Sequence, residues 1–216
     1  MKIALLGAES TGKTELSQRM AQALRARGHR VAVVPEVLRE WCAREGRTPR
    51  PEEQLPIAQA QEQRVDAAAA GHDIVIADTT ALMVAIYSAM LFEDGTLYRF
   101  ALERQRGYDL TLVTGLDLPW VADGLQRDGP HVREPVDALV REGLSKAGVP
   151  YRVVYGHGEE RTRNALAPVL ALLGEQPTSP GASRWKWGCD KCSDPDCEHR
   201  LFTGLRHPRA SGDPGL

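Results

Sequence analysis

Apolar residues recur along this chain in short unbroken runs, separated by longer stretches in which they return every three or four positions. Lys2–Leu6, Val31–Val34, Asp73–Ala77, Leu110–Val113 and Tyr151–Tyr155 are the runs, each read as a strand. Between them, Thr14–Arg27 carries a stripe of Leu16, Met20, Ala23 and Leu24 and reads as a helix, with Gly28 as its C-terminal cap. Helices are also predicted over Glu36–Arg44, Glu52–Ala70, Thr79–Phe92, Thr96–Arg106, Val136–Lys146 and Arg161–Leu173. Pro56 disturbs the first turn of the second of these, and Gly46–Pro51 breaks the chain before it. Short strands that are apolar throughout, alternating with helices, belong in a parallel sheet covered on both faces. The expectation is an α/β fold, a five-stranded parallel sheet with right-handed crossovers. Ligands of such sheets bind beyond the carboxyl ends of the strands. Gly7, Glu36, Asp78 and Asp117 all stand at or just after such ends.

The first strand runs directly into Gly7-Ala8-Glu9-Ser10-Thr11-Gly12-Lys13-Thr14, which matches G-x-x-x-x-G-K-[ST] without a gap. The glycines let the backbone curl so that N–H groups face phosphate oxygens. Glu9, Ser10 and Thr11 complete that cradle, Lys13 brings positive charge to the β- and γ-phosphates, and the Thr14 hydroxyl can ligate Mg²⁺. The helix opening here adds its positive end. A nucleoside triphosphate is the predicted ligand, with ATP and Mg²⁺ as cofactors.

Two acids follow strands. Asp78, after Ile74-Val75-Ile76-Ala77, suits Mg²⁺ held directly or through water, or else caps the helix beginning at Thr79–Thr80. Glu36 comes after Pro35 and can take a proton from an attacking hydroxyl; the alternative is a solvated face. Arg39 and Glu40 lie three and four positions further along the same helix. A long loop, Asp117–His131, contains Trp120, Asp123 and Arg127, with Arg133 just beyond. Loops of this kind close over reacting phosphates and exclude water. Arg127 and Arg133 are candidates for steadying phosphate charge, and Trp120 for stacking on a flat ring or filling the core.

The charge balance is 27 Lys+Arg against 29 Asp+Glu, a net −2, which gives no support for a general nucleic-acid surface. The longest apolar stretch, Ala81–Phe92, is interrupted by Ser88 and falls short of the about 20 residues that span a bilayer. The phosphate loop lies so near the first residue that a cleaved leader would remove it, so a cytoplasmic location is expected, where disulfides are rare. Cys42 reads as a small buried hydrophobe. Residues 175–184 look like a linker, and 206–216 are expected to fray. Between them, Cys189, Cys192, Cys197 and His199 form C-x2-C-x4-C-x-H, which suits a full tetrahedral Zn²⁺ shell with no open position for chemistry; free thiols are the alternative. The expected organisation is therefore a phosphate-loop domain over 1–174, a linker over 175–184, a zinc tail over 185–205 and an unstructured end over 206–216.

Gly7–Thr14, Glu36-Val-Leu-Arg39-Glu40, the Gln59–Asp66 helix, Ile76-Ala-Asp78-Thr79 and Trp120-Val-Ala-Asp123-Gly124-Leu125 occur in that order. Together they resemble the kinase domain of the bacterial NAD-metabolism proteins, the ribosylnicotinamide kinase family, from about residue 1 to residue 172. The resemblance implies a P-loop kinase with a lid that transfers phosphate from ATP to the 5′-hydroxyl of nicotinamide riboside. By it Lys13 and Thr14 hold ATP and Mg²⁺, Glu36 and Asp78 face the ribose hydroxyls, and Trp120 lies against the nicotinamide ring. Glu36 is favoured as the base, with Asp78 serving Mg²⁺. The family also carries a DNA-binding module and an adenylyltransferase domain; the likeness begins at the kinase strand and carries neither activity over. The chain departs from the pattern at Leu125-Gln126-Arg127, where the family has arginine directly after the leucine, and in its Cys/His tail.

The predicted partner is a small-molecule nucleoside, for a monomer or homodimer, with the tail open to a protein contact. A kinase for another nucleoside or small alcohol is the near alternative. A P-loop ATPase that senses nucleotide and acts on a protein is the distant one. A GTPase fits poorly, because Thr114-Gly-Leu-Asp117 lacks the Asn-Lys of guanine readers.

Overall fold

A computed structural model describes residues 1–93, 95–121 and 129–175. The proposed linker from residue 176 onward, the Cys/His tail, and Asp123 and Arg127 of the lid lie outside the described residues.

Five strands form one parallel sheet in the order β2-β3-β1-β4-β5. They are β1 (Lys2–Leu6), β2 (Val31–Val34), β3 (Ile74–Asp78), β4 (Leu110–Thr114) and β5 (Arg152–Val154). The helices are α1 (Lys13–Arg25), α2 (Val37–Glu45), α3 (Pro51–Ala69), α4 (Ala81–Phe92), α5 (Leu97–Gln105), α6 (Arg133–Lys146) and α7 (Gly158–Leu173). A short 3₁₀ turn, Pro130–Val132, precedes α6.

The strands read as continuously apolar because alternate residues enter two different cores. Ile3, Leu5, Ile74, Ile76 and Leu112 meet α1 and α7 through Leu16, Met20, Leu24, Val169 and Leu170. Ala4, Leu6, Val75, Ala77 and Val113 meet α3, α4 and α6 on the other face. α4 is apolar almost all round because its neighbours cover it: Ala81–Ile86 are all buried.

Element boundaries differ from the sequence expectation by a few residues. α7 begins at Gly158, since Glu159 and Glu160 favour a first helical turn. α6 begins at Arg133, seated on the 3₁₀ turn. α3 runs through Pro56, which lies with Glu52 on its exposed side, where water can take the carbonyl that proline leaves unpaired. Cys42 is buried and forms no disulfide among the described residues. Among the described residues no helix is long and apolar enough to cross a membrane.

Candidate active site

The register puts Leu5 beside Asp78, so the phosphate loop after β1 and the acid closing β3 leave the sheet side by side. Gly7 (φ +144°) and Gly12 (φ +74°) take backbone conformations that side chains disfavour. At Gly7 the close approach is also steric, since a Cβ would lie 2.1 Å from Thr114 Oγ1. Behind the loop, the Thr11 and Thr114 hydroxyls are bonded at 2.7 Å, and Thr11 Oγ1 also donates to Ala8 O at 2.8 Å. The buried Arg161 donates to Thr11 O at 3.0 Å and pairs with Asp117 at 2.9 Å. Asp117 also accepts from Gly156 N. This strand-end acid therefore braces the loop wall.

Lys13 Nζ donates to Gly7 O at 2.9 Å and Ala8 O at 2.7 Å, across the mouth of the loop. α1 opens on Gly12 without a side-chain cap, which leaves its positive end to the cradle. Thr14 Oγ1 donates to Asp78 Oδ2 at 2.6 Å. Asp78 is buried, and its Oδ1 has no partner among the described residues. It does not cap α4; Thr80 does, accepting from Leu82 N. A buried carboxylate with an orphan oxygen beside a threonine hydroxyl is a hard oxygen set, which fits Mg²⁺.

Glu36 ends the β2 turn and forms the N-cap position of α2. Its Oε2 pairs with Arg39 Nη2 at 3.0 Å, and Arg39 Nη1 donates to Thr14 Oγ1 at 3.2 Å. Glu36, Arg39, Thr14 and Asp78 are thus linked in one chain of contacts. Two adjacent residues of α3 hold the backbone around both acids. Gln61 Oε1 accepts from Val37 N at 2.8 Å, and Glu62 Oε1 accepts from Ala81 N at 2.9 Å. Glu62 also accepts from Tyr108 OH at 3.1 Å, and burial together with this carboxylate raises the Tyr108 phenol far above its ordinary range.

The phosphate loop, Glu36 and Arg39 face a cleft of about 1,030 Å³; Asp78, Gln61 and Glu62 are not among its lining residues. Glu9–Thr14, Glu36 and Arg39 line its polar end, and Leu38, Met83, Tyr87 and Leu91 line an apolar wall. Gln54 also lines it, nearly fully buried, with Oε1 unpartnered among the described residues. Pro119 and Val121 border the cleft, and Ser10 Oγ and the Val121 backbone exchange hydrogen bonds at 2.8 and 3.1 Å. Trp120 between them is half-buried and is not a lining residue. Arg133 is buried away from the lining and donates to Leu116 O at 3.3 Å. A second hollow, about 300 Å³ between α2 and α3, contains no phosphate-loop residue. Gln54 and Arg161 were not legible as site residues, because their spacing matches no motif; Gln61 and Thr79 fall within stretches that carry the family resemblance, but no role followed from it for their side chains.

Residues 2–161 match the family described as AAA domain. The chain belongs to that family. Its AAA domain is similar in structure to the NadR protein in complex with NAD and AMP-PNP, with a TM-score of 0.62 at 19% identity. The match covers 82% of this chain and 51% of that one, so this chain spans about half the length of the NadR structure. It is also similar to a deoxyadenosine kinase from M. mycoides, solved with dCMP and a flexible dCDP bound. The TM-score is 0.52 at 16% identity, covering 81% of this chain and 99% of the kinase. Sequence comparison with curated proteins yields no match. The AAA domain therefore has a P-loop, nucleoside-kinase-like fold.

Proposed function

We propose that the chain is an ATP-dependent kinase that phosphorylates the 5′-hydroxyl of a nucleoside, with nicotinamide riboside as acceptor and nicotinamide mononucleotide as product. One observation carries this reading. A single cleft joins a phosphate loop to a carboxylate–arginine pair and then to an apolar wall. Triphosphate, alcohol and ring each have a matching surface there. Gln54 offers an amide to a ring edge on that wall.

In the proposed reaction the acceptor oxygen attacks the γ-phosphorus, and the bond to the leaving ADP oxygen breaks. The hydroxyl proton passes to the Glu36 carboxylate. Lys13 and the loop N–H groups hold the phosphates in line. Thr14 and Asp78 would hold Mg²⁺, which when bound neutralises phosphate charge. From their place in and just beyond the lid loop, Arg127 would steady the transferring phosphoryl and Arg133 the ATP phosphates; Asp123 would bind the acceptor, and the family resemblance puts Trp120 against its ring. By their spacing, and apart from that resemblance, Cys189, Cys192, Cys197 and His199 would form a structural zinc set.

The deoxyadenosine kinase likeness favours a second reading in which the acceptor is another nucleoside. Phosphate transfer from ATP across a panel of nicotinamide riboside, deoxyadenosine, cytidine and thymidine separates the two. Transfer to nicotinamide riboside is expected; transfer only to the others keeps the class and removes this acceptor. No acceptor-dependent ADP would overturn the kinase reading. Glu36→Gln should lower kcat by about 100-fold or more, whereas Asp78→Asn should raise the Mg²⁺ concentration needed for half-maximal rate. Near-normal turnover in Glu36→Gln would remove the base from residue 36.

A further inference from the structure

Three non-glycine residues have positive φ among the described residues: Ser10, Thr79 and Glu93. Glu93 is the left-handed C-cap of α4, an ordinary place for that conformation. Ser10 belongs to the phosphate loop. Thr79, at φ +81°, has no such excuse: it is β-branched, for which this region is a genuine outlier.

The strain is held from three directions. Thr79 N donates to Leu5 O at 3.1 Å, extending the β1–β3 pairing by one residue. Next along, Thr80 Oγ1 donates to Gln105 Oε1 at 2.7 Å, and then Ala81 N donates to Glu62. Backbone kept in a costly conformation by so many contacts marks functional sites. The side chain it carries is 1% exposed, yet Oγ1 has no hydrogen-bond partner among the described residues. Buried hydroxyls are almost always paired.

Its place in the cleft narrows what the hydroxyl is for. Thr79 lines the cleft directly after Asp78, which is bonded to Thr14 on the phosphate side. One and two helical turns further on, Met83 and Tyr87 begin the apolar wall. A nucleoside lying from the phosphate loop to that wall would have its sugar at Thr79. A hydroxyl both donates and accepts, as does each sugar hydroxyl.

We propose that Thr79 is an acceptor-binding residue whose hydroxyl hydrogen-bonds the sugar of the phosphoryl acceptor, and that its left-handed backbone is the device that sets it there. This rests on the kinase reading above. The test uses whichever nucleoside of that four-member panel the wild-type chain phosphorylates. Thr79→Val keeps the shape and removes the hydroxyl, so acceptor kcat/KM should fall about 10- to 100-fold, with the ATP KM within about twofold of wild type. Thr79→Ser should retain most of the activity. Thr79→Gly suits φ +81° better, so its Tm should equal or exceed that of wild type, while acceptor kcat/KM falls as in Thr79→Val.

A structural role alone would link loss of activity to loss of stability, and Thr79→Gly separates the two. The assignment is overturned if Thr79→Val matches wild type on the acceptor, or if its losses on ATP and acceptor are equal. In those cases the kinase reading stands. Should the wild type phosphorylate none of the four nucleosides of the panel, that reading fails and the role of Thr79 fails with it.

Discussion

Two residues of the phosphate loop illustrate how much single atoms decide here. Lys13 is recognisable by its motif, but what keeps its loop in shape is Gly7 against Thr114. An added methyl at Gly7 would occupy the space of Thr114 Oγ1, which in turn is bonded to Thr11 and to Leu6 O. Overpacking at such a contact costs about 1–3 kcal/mol, and φ +144° adds strain. Gly7→Ala should therefore lower the thermal midpoint by several degrees and weaken nucleotide binding together with it. Thermal unfolding with and without AMP-PNP checks both. A variant with wild-type stability would show that the loop relaxes more freely than its packing implies. Asp78 presents the converse case: its position after an apolar run was legible, while its bond to Thr14 and its orphan oxygen needed the neighbouring strand.

At the scale of elements, α3 determines how the acids are spaced. Gln61 and Glu62 are adjacent in sequence yet reach different loops, one after β2 and one after β3. Neither helix they anchor is capped there by its own acid, so α3 supplies the missing acceptor. Gln61→Leu leaves the buried Val37 N–H unpaired, at about 1–3 kcal/mol, and frees the turn that carries Glu36. We expect a lower Tm, a reduced kcat for the acceptor and an unchanged ATP KM. Gln61→Glu retains an acceptor for Val37 N–H and should recover much of the loss. Equal behaviour of the two variants would show that this hydrogen bond does not position Glu36. The sequence offered α3 as a Gln- and Glu-rich helix; which of its polar residues point inward depended on packing against α2 and α4.

Across the whole molecule, exposed ion pairs tie the sheet edge and helix ends together. Asp73 joins the start of β3 to Arg30 before β2, accepting from the Arg30 backbone and guanidinium. Those bonds hold its carboxyl down at about 2 from 3.8. Glu53 is held at about 2 from 4.5 by Arg47, with help from Arg50 N. Both folded values are depressed, so their contribution to stability is complete above the unfolded values and is lost as pH falls through about 2. Urea midpoints should fall as the pH is lowered from about 4, and Asp73→Asn should flatten that dependence. Both pairs are exposed, so added salt should reduce the effect. An unchanged slope in Asp73→Asn would assign the acid sensitivity elsewhere.

Local pattern alone was enough for the alternation of strand and helix, the phosphate loop and the acids after the second and third strands. Each of these is written in neighbouring residues: a run, a period or a fixed spacing. Strand order, the Thr14–Asp78 and Glu36–Arg39 contacts, and the helix that braces them come from segments far apart in the chain. Only tertiary packing brings those together. Thr79 lies at the boundary between the two. Its pairing with Asp78 is written in the sequence, but its strained backbone and unpartnered hydroxyl arise from Leu5, Gln105 and Glu62 meeting around one turn.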